Sequence, residues 1–275
     1  MRYFGGKAKI AKQISSYINN LSCNISEVNK ESPNISQNLL THTHTHTHSV
    51  YVEPFCGSCN VATKVNISNK ILNDKHPYLI AMWKELQDGW IPPDNISEEL
   101  YYKIKAKQDQ YPYLAGFVGF ACSFAGKYWG GYARDNKDVD KVELYALRGH
   151  NSVLKKLETL KDAEFTNKDF SELSFKNSLI YCDPPYKGTT PYYKSLLGDF
   201  SYDKFLRWVK EQSKENLVLV SEYKHNVPKT AAIVLEIKSK TSIRDKTNNV
   251  IETIEVLWTY NKELIKENQL CGLNH

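Results

Sequence analysis

Residues 180–188 read IYCDPPYKG: an apolar run, Leu179 to Cys182, meets a carboxylate, two prolines and an aromatic ring. The run has the character of a buried strand. The prolines end it, because proline lacks the N–H that a ladder needs and fixes its own backbone. Asp183 and Tyr186 are thereby delivered on a stiff turn at a strand's carboxyl end. Asp and Pro favour ordinary turns as well, so the rest of the chain must decide. Two more apolar runs end in polar tips, VEPFCGS (52–58) and LNDKHP (72–77). In an open α/β sheet, ligands bind beyond the carboxyl ends of the strands, near the topological switch point. Gly57 lets backbone approach a ligand closely, and an acid about 20 positions later, Asp74, can accept hydrogen bonds from ribose hydroxyls. Together the three tips point to a nucleoside-bearing cofactor.

The elements that must position these tips alternate along the chain. Lys7 to Leu21 carries apolar Ile10, Ile14, Tyr17, Ile18 and Leu21, a helical stripe. Residues 22–49 lose periodicity, turn polar and contain THTHTHTH at 41–48, which reads as a surface insertion or disorder. The His/Thr alternation could pair as an edge strand or take up a divalent metal adventitiously. Strands follow at SVYVEP and at Lys70–Leu72, with Pro77 suited to the first turn of a helix. Residues 86–150 are the least strand-like part. A helix over 150–160, a short strand in AEFTNKDFSEL, the strand before Asp183, a helix over 202–215 and NLVLVSEY (216–223) come next. IVLEIKSKTSI and NVIETIEVLWTY read as two strands with a turn near Thr247–Asn249. Short strands alternating with helices indicate a parallel α/β sheet, and the last two suggest an antiparallel edge hairpin.

Composition narrows the class. The chain has 275 residues, 41% hydrophobic and 24% charged, and a net charge of +5 from 36 basic and 31 acidic residues, an ordinary globular balance compatible with nucleic acid. No apolar stretch approaches the ~20 residues of a membrane span. The amino-terminal MRYFGGKAKIAKQI lacks the apolar core of a signal peptide. Cys23, Cys56, Cys59, Cys122, Cys182 and Cys271 are scattered, which suits reduced thiols in a cytoplasmic protein better than a disulfide framework. Cys56 and Cys59 form one CxxC, but no second pair follows at zinc-ribbon spacing, and structural zinc usually needs four ligands.

RYFGGK (2–7), YVEPFCGS (51–58), ILNDKHPYL (71–79), YCDPPY (181–186) and LVSEY (219–223) together resemble a Dam-type, α-group DNA adenine-N6 methyltransferase of phage or bacterial origin. The resemblance implies a Rossmann-like methyltransferase sheet with S-adenosyl-L-methionine as cofactor. It divides the chain into a catalytic domain, residues 1–85 and 151–265 with the 22–49 insertion, and a mostly helical target-recognition subdomain, 86–150. It also implies that Tyr3, Lys7, Glu53, Pro54, Phe55, Gly57, Asp74 and Asp183 bind the cofactor. Asp183, Pro184, Pro185 and Tyr186 then form the catalytic tetrapeptide. One departure is Cys59, where the family's turn commonly has a second glycine. The exocyclic amine of adenine is a poor nucleophile because its lone pair is delocalised into the ring. The Asp183 carboxylate and Pro184 carbonyl can accept its N–H groups and favour a more tetrahedral nitrogen, while Tyr186 stacks on a flipped base. No metal is required.

The implied partner is double-stranded DNA, the implied assembly a monomer or weak dimer. Residues 115–138 interleave aromatics and glycines with Lys127, Arg134 and Lys137, and phosphates can take such charges while Arg reads guanine edges. Lys127, Tyr128, Trp129 and Arg134 are the DNA-contact candidates, against the alternative of a glycine-rich buried helix and loop. GGYAR (130–134) keeps the Gly-x-x-Arg of GATC-reading members but has Gly130 where they have Asn. KSKTSIRDK (238–246) is a further candidate phosphate contact. Two other functions are open, a catalytically idle DNA-binding homologue and a methyltransferase of RNA or protein amides. Intact DPPY, Lys7 and Asp74 argue against the first, and Asp rather than Asn at 183 argues against the second.

Overall fold

The computed structural model describes residues 1, 6–27, 50–134, 144–187, 194–244 and 250–261. Seven strands form one sheet in the order β3-β2-β1-β4-β5-β7-β6. These are β1 (Val50–Glu53), β2 (Asn69–Asn73), β3 (Glu164–Thr166), β4 (Ser178–Cys182), β5 (Leu217–Tyr223), β6 (Ala232–Arg244) and β7 (Val250–Thr259). β1 to β5 run parallel; β7 is antiparallel to β5, and β6 to β7. The parallel α/β sheet and antiparallel edge hairpin expected from the sequence are both present. The order reverses between β1 and β4, so the switch point falls where Glu53 ends one strand and Asp183 follows the other.

Every residue of β4 is buried, as expected of a strand covered on both faces. One layer packs α1 (Ala11–Glu27) through Ile14 and Ile18, together with α2 (Pro77–Gln87); the other packs α7 (Tyr202–Gln212) through Phe205 and Val209. α1 begins after a turn over 8–10 and continues to Glu27. Its backbone therefore runs six residues into the segment read as an aperiodic insertion, because a helix already anchored by Ile10, Ile14 and Ile18 propagates cheaply through polar residues. The rest of that segment, including the His/Thr tract, lies outside the described residues, as do the hairpin turn at 245–249 and the side chains of 239–244.

Residues 86–150 hold α3 (Glu98–Ala106), α4 (Pro112–Ala121) and the start of α5 (Leu144–Leu160). Ser97 caps α3 by accepting from the Leu100 N–H at 3.1 Å. α5 begins well before the expected 150, and α6 (Lys194–Leu197) had no sequence signal. α4 crosses α2 at a point where Gly116 meets the Tyr78 carbonyl: a Cβ built on Gly116 would stand 2.0 Å from that oxygen. Gly116→Ala must therefore separate the two helices. Overpacking of this kind costs roughly 1–3 kcal/mol, and urea unfolding should show a lower midpoint of that size with an unchanged slope. An unaltered midpoint would mean that the helices can part freely.

Candidate active site

The turn after β1 is fixed by groups from several elements. The Asn73 side-chain amide donates to the Pro54 carbonyl at 2.9 Å and the Lys168 carbonyl at 3.0 Å, while its oxygen accepts from Thr166 Oγ1 and the Lys168 N–H. Trp83 of α2 donates its indole N–H to the Gly57 carbonyl at 3.2 Å. Lys156 of α5 donates to the Ser58 carbonyl, and to Asn60 Oδ1 at 2.7 Å. The Gly57 N–H and the His76 N–H each donate to one Asp74 carboxylate oxygen at 2.9 Å. Asp74 thus ties the turn to the amino end of α2, and its remaining lone pairs can still receive hydroxyls. Gly57 and Cys59 have φ of 49° and 56°. The second value accounts for the glycine usual at position 59: a left-handed backbone suits glycine and strains cysteine.

Asp183, on the turn after β4, meets a cation. Lys7 Nζ lies 2.9 Å from Asp183 Oδ1 and 3.4 Å from Glu255 Oε2 of β7, and 4.3 Å from the centroid of the Tyr186 ring. The Tyr186 hydroxyl donates to the same Glu255 oxygen at 3.0 Å, and its ring stands edge-on to Tyr223 at 4.8 Å. Pro184 is buried and Pro185 exposed. Beyond Tyr186, the Lys187 N–H, the Tyr202 hydroxyl, the Tyr223 N–H and the Asn226 amide all donate to the buried Glu222, which anchors the DPPY segment to β5.

The site concentrates acid. Burial pushes Glu53 up to about 8, against the hydrogen bond from the Tyr51 hydroxyl at 2.7 Å and with Asp183 adding to the rise. Asp74 is raised to about 6 by burial, the two backbone N–H groups opposing. Burial also raises Asp183; Lys7 pulls it back, and Glu255 and Glu222 oppose Lys7. Burial alone would lower Lys7, but Asp183 and Glu255 outweigh it and hold the ammonium above its ordinary value. Lys156 is lowered to about 8 by burial.

Of the residues singled out in the sequence, Glu53, Pro54, Phe55, Gly57 and Asp74 lie on the first two strand tips, and Lys7 joins Asp183 and Tyr186 at the third. Phe55 turns away from the Gly57 loop into a cluster with Phe170, Phe200 and Phe205. Tyr3 and Lys137 lie outside the described residues. Arg134 is exposed and paired with Glu98. Tyr128 and Trp129 both donate to Gln108 Oε1, at 3.0 and 2.9 Å, and their rings pack on His76 and Tyr101. In this structure they are pillars of the helical region, and Phe124, Tyr102 and Tyr111 are aromatics of that region that face solvent. Trp83, Lys156 and Glu255 escaped the sequence reading, and Glu222 entered it only within LVSEY, with no role of its own. Lys156 sits in HNSVLKKLETL, where a lysine pair looks like a solvated helix face, and Glu255 is one of several acids in a strand of alternating pattern.

Residues 29–144 match the sequence model of the D12 class N6 adenine-specific DNA methyltransferase family. The matched interval is less than half of the chain; it holds the turn after β1, Asp74 and the helical region, and stops before Asp183. No curated protein matches the chain. Among solved structures, a candidate RNA methyltransferase from Pyrococcus horikoshii aligns over 76% of this chain and 74% of its own, at 9% identity and a TM-score of 0.34. The sheet and its switch-point site define a Rossmann-like methyltransferase fold. The family match adds that residues 29–144 are similar to the domain of an N6 adenine-specific DNA methyltransferase.

Glu53 offers a test of this electrostatic description. Its folded value, about 8, lies above the 4.5 of the unfolded chain. Its contribution to stability is therefore complete below 4.5 and lost as pH rises through about 8. Glu53→Gln should remove that pH-dependent part, so the difference in unfolding free energy between variant and wild type grows in the variant's favour across this window. Denaturant unfolding at a series of pH values measures it; parallel curves would show Glu53 ionised in the fold.

Proposed function

We propose that this protein transfers a methyl group from S-adenosylmethionine to N6 of adenine at a specific sequence in double-stranded DNA, with the target base flipped into the site. The observation that carries the reading is the pairing of Asp183 and Tyr186 at the switch point with the Gly57–Asp74 turn beside it. That turn fits a nucleoside cofactor. Its backbone is largely paired within the protein, yet Ser58 Oγ is buried with no hydrogen-bond partner, and a buried polar group left unpaired suits a ligand. Gly57, Ser58 and Asp74 would hold the cofactor, with Glu53 and Pro54 forming the floor. When bound, S-adenosylmethionine supplies an electrophilic methyl carbon on a sulfonium.

The chain's own groups act on the amine. Asp183 and the Pro184 carbonyl accept its two N–H groups, which draws the nitrogen lone pair out of the ring and aims it at the methyl carbon. Tyr186 stacks on the base. Residues 86–150 serve as the target-recognition subdomain. In it Lys127 meets phosphate, and Arg134 leaves Glu98 to read a guanine edge.

Two measurements test the reading. Asp183→Ala should lower methyl transfer by about 10²–10³ while cofactor binding, followed by titration calorimetry, stays partly intact; near-normal turnover would sink the assignment. Arg134→Ala should lose roughly 1–3 kcal/mol of discrimination at one base position, with cofactor affinity unchanged. Methylation of a mixed-sequence duplex library, read by position, checks it. Unchanged site preference and rate would place recognition elsewhere.

A further inference from the structure

The adenine amine and the Lys7 ammonium need the same place. In the structure Lys7 donates toward Asp183 Oδ1 at 2.9 Å and lies 4.3 Å from the centre of the Tyr186 ring. A cationic N–H donor thus occupies both features that the methylation reading assigns to the base: the carboxylate that accepts its amine and the ring that stacks on it. Glu255 Oε2 stands 3.4 Å from the same ammonium and accepts from the Tyr186 hydroxyl at 3.0 Å. Glu255 comes from β7, where it pairs in register with Tyr223 of β5, so a strand of the sheet holds it while Lys7 moves.

We propose that Lys7 stands in for the substrate amine in the free enzyme, and that Glu255 is a positioning residue that keeps Tyr186 in place and retains the Lys7 ammonium when adenine takes Asp183. The proposal rests on the adenine-methylation reading of Asp183. The stand-in has a physical purpose. Asp183 would otherwise face the site as a buried carboxylate without a counter-charge, a costly state. Lys7 covers that carboxylate until the base arrives. With Glu255 3.4 Å away, the ammonium keeps an anionic partner as it gives up Asp183, so the exchange never leaves it buried and alone. Without Glu255, the incoming amine would have to compete with an ammonium that, among the described residues, has no anion other than Asp183 within ion-pair distance.

A double-mutant cycle tests this in the full-length protein, with tritiated methyl transfer to a mixed-sequence duplex library as the readout. Glu255→Gln keeps an oxygen for the Tyr186 hydroxyl and removes the charge. It should lower kcat/KM about tenfold, mainly through KM for DNA, with S-adenosylhomocysteine affinity unchanged. In a Lys7→Met background, which has no ammonium to retain, the same substitution should change kcat/KM less than about twofold. Equal losses in both backgrounds would overturn the proposal and leave Glu255 a structural support of Tyr186.

A second arm does not depend on turnover. The Lys7 side-chain resonances, followed by NMR with ¹³C-labelled lysine, should shift on Asp183→Asn in the free protein. With S-adenosylhomocysteine and the duplex library added, they should become sensitive to Glu255→Gln instead. A Lys7 signal indifferent to Asp183→Asn would overturn the stand-in role even if Lys7→Met transfers too slowly for the cycle. A wild-type protein that transfers no methyl group to DNA, but whose Lys7 signal responds to Asp183→Asn, would defeat the functional reading and keep the contact.

Discussion

Acidic groups gathered at the carboxyl edge of the sheet are the constraint to which the rest of the site answers. Glu53, Asp74, Asp183, Glu222 and Glu255 all lie there, wholly or largely removed from water. Carboxylates in a poorly hydrated place must be neutralised, hydrogen-bonded or paired, and the fold uses all three. Glu53 is held toward its neutral form by burial. Asp74 and Glu222 are surrounded by donors, two backbone N–H groups for the first and four donors for the second. Asp183 and Glu255 share Lys7. The helices and loops around the sheet are arranged as sources of those donors, so the electrostatics and the packing cannot be separated.

Much of this was legible in the sequence. The three strand tips, the parallel sheet and the late hairpin followed from apolar runs ending in Gly, Pro and Asp, since those residues act through local backbone chemistry. What the sequence could not supply was direction across the fold. Phe55 follows Pro54 in a motif of cofactor type, yet it packs beneath the sheet with Phe170 and Phe205. Tyr128 and Trp129 look like a stacking surface in a row of aromatics, but both aim their polar atoms at Gln108, a residue with no motif. Lys7 was recognisable as important. Its contact with Asp183 joins residues 176 positions apart in the chain and needed the sheet to bring them together.

Family match and geometry also cover different ground. The matched interval, 29–144, contains the turn after β1 and the helical region. The tetrapeptide, Glu222 and Glu255 lie beyond it, and they are known here by position in the sheet. The two lines meet at Asp74, inside the matched interval and bonded to Gly57 of the turn.

One helix links the helical region to the turn after β1. α5 starts at Leu144, inside the helical region, and twelve residues later its Lys156 reaches the Ser58 carbonyl. A shift of this helix along its axis by a single turn, ~5.4 Å, would withdraw the lysine from the loop and break its hydrogen bonds to Ser58 and Asn60. The register of this helix is therefore shared property: it is set by packing against α4 at one end and by two hydrogen bonds to the turn after β1 at the other. Any change that slides one end is felt at the other, so the helix acts as a ruler between the two regions.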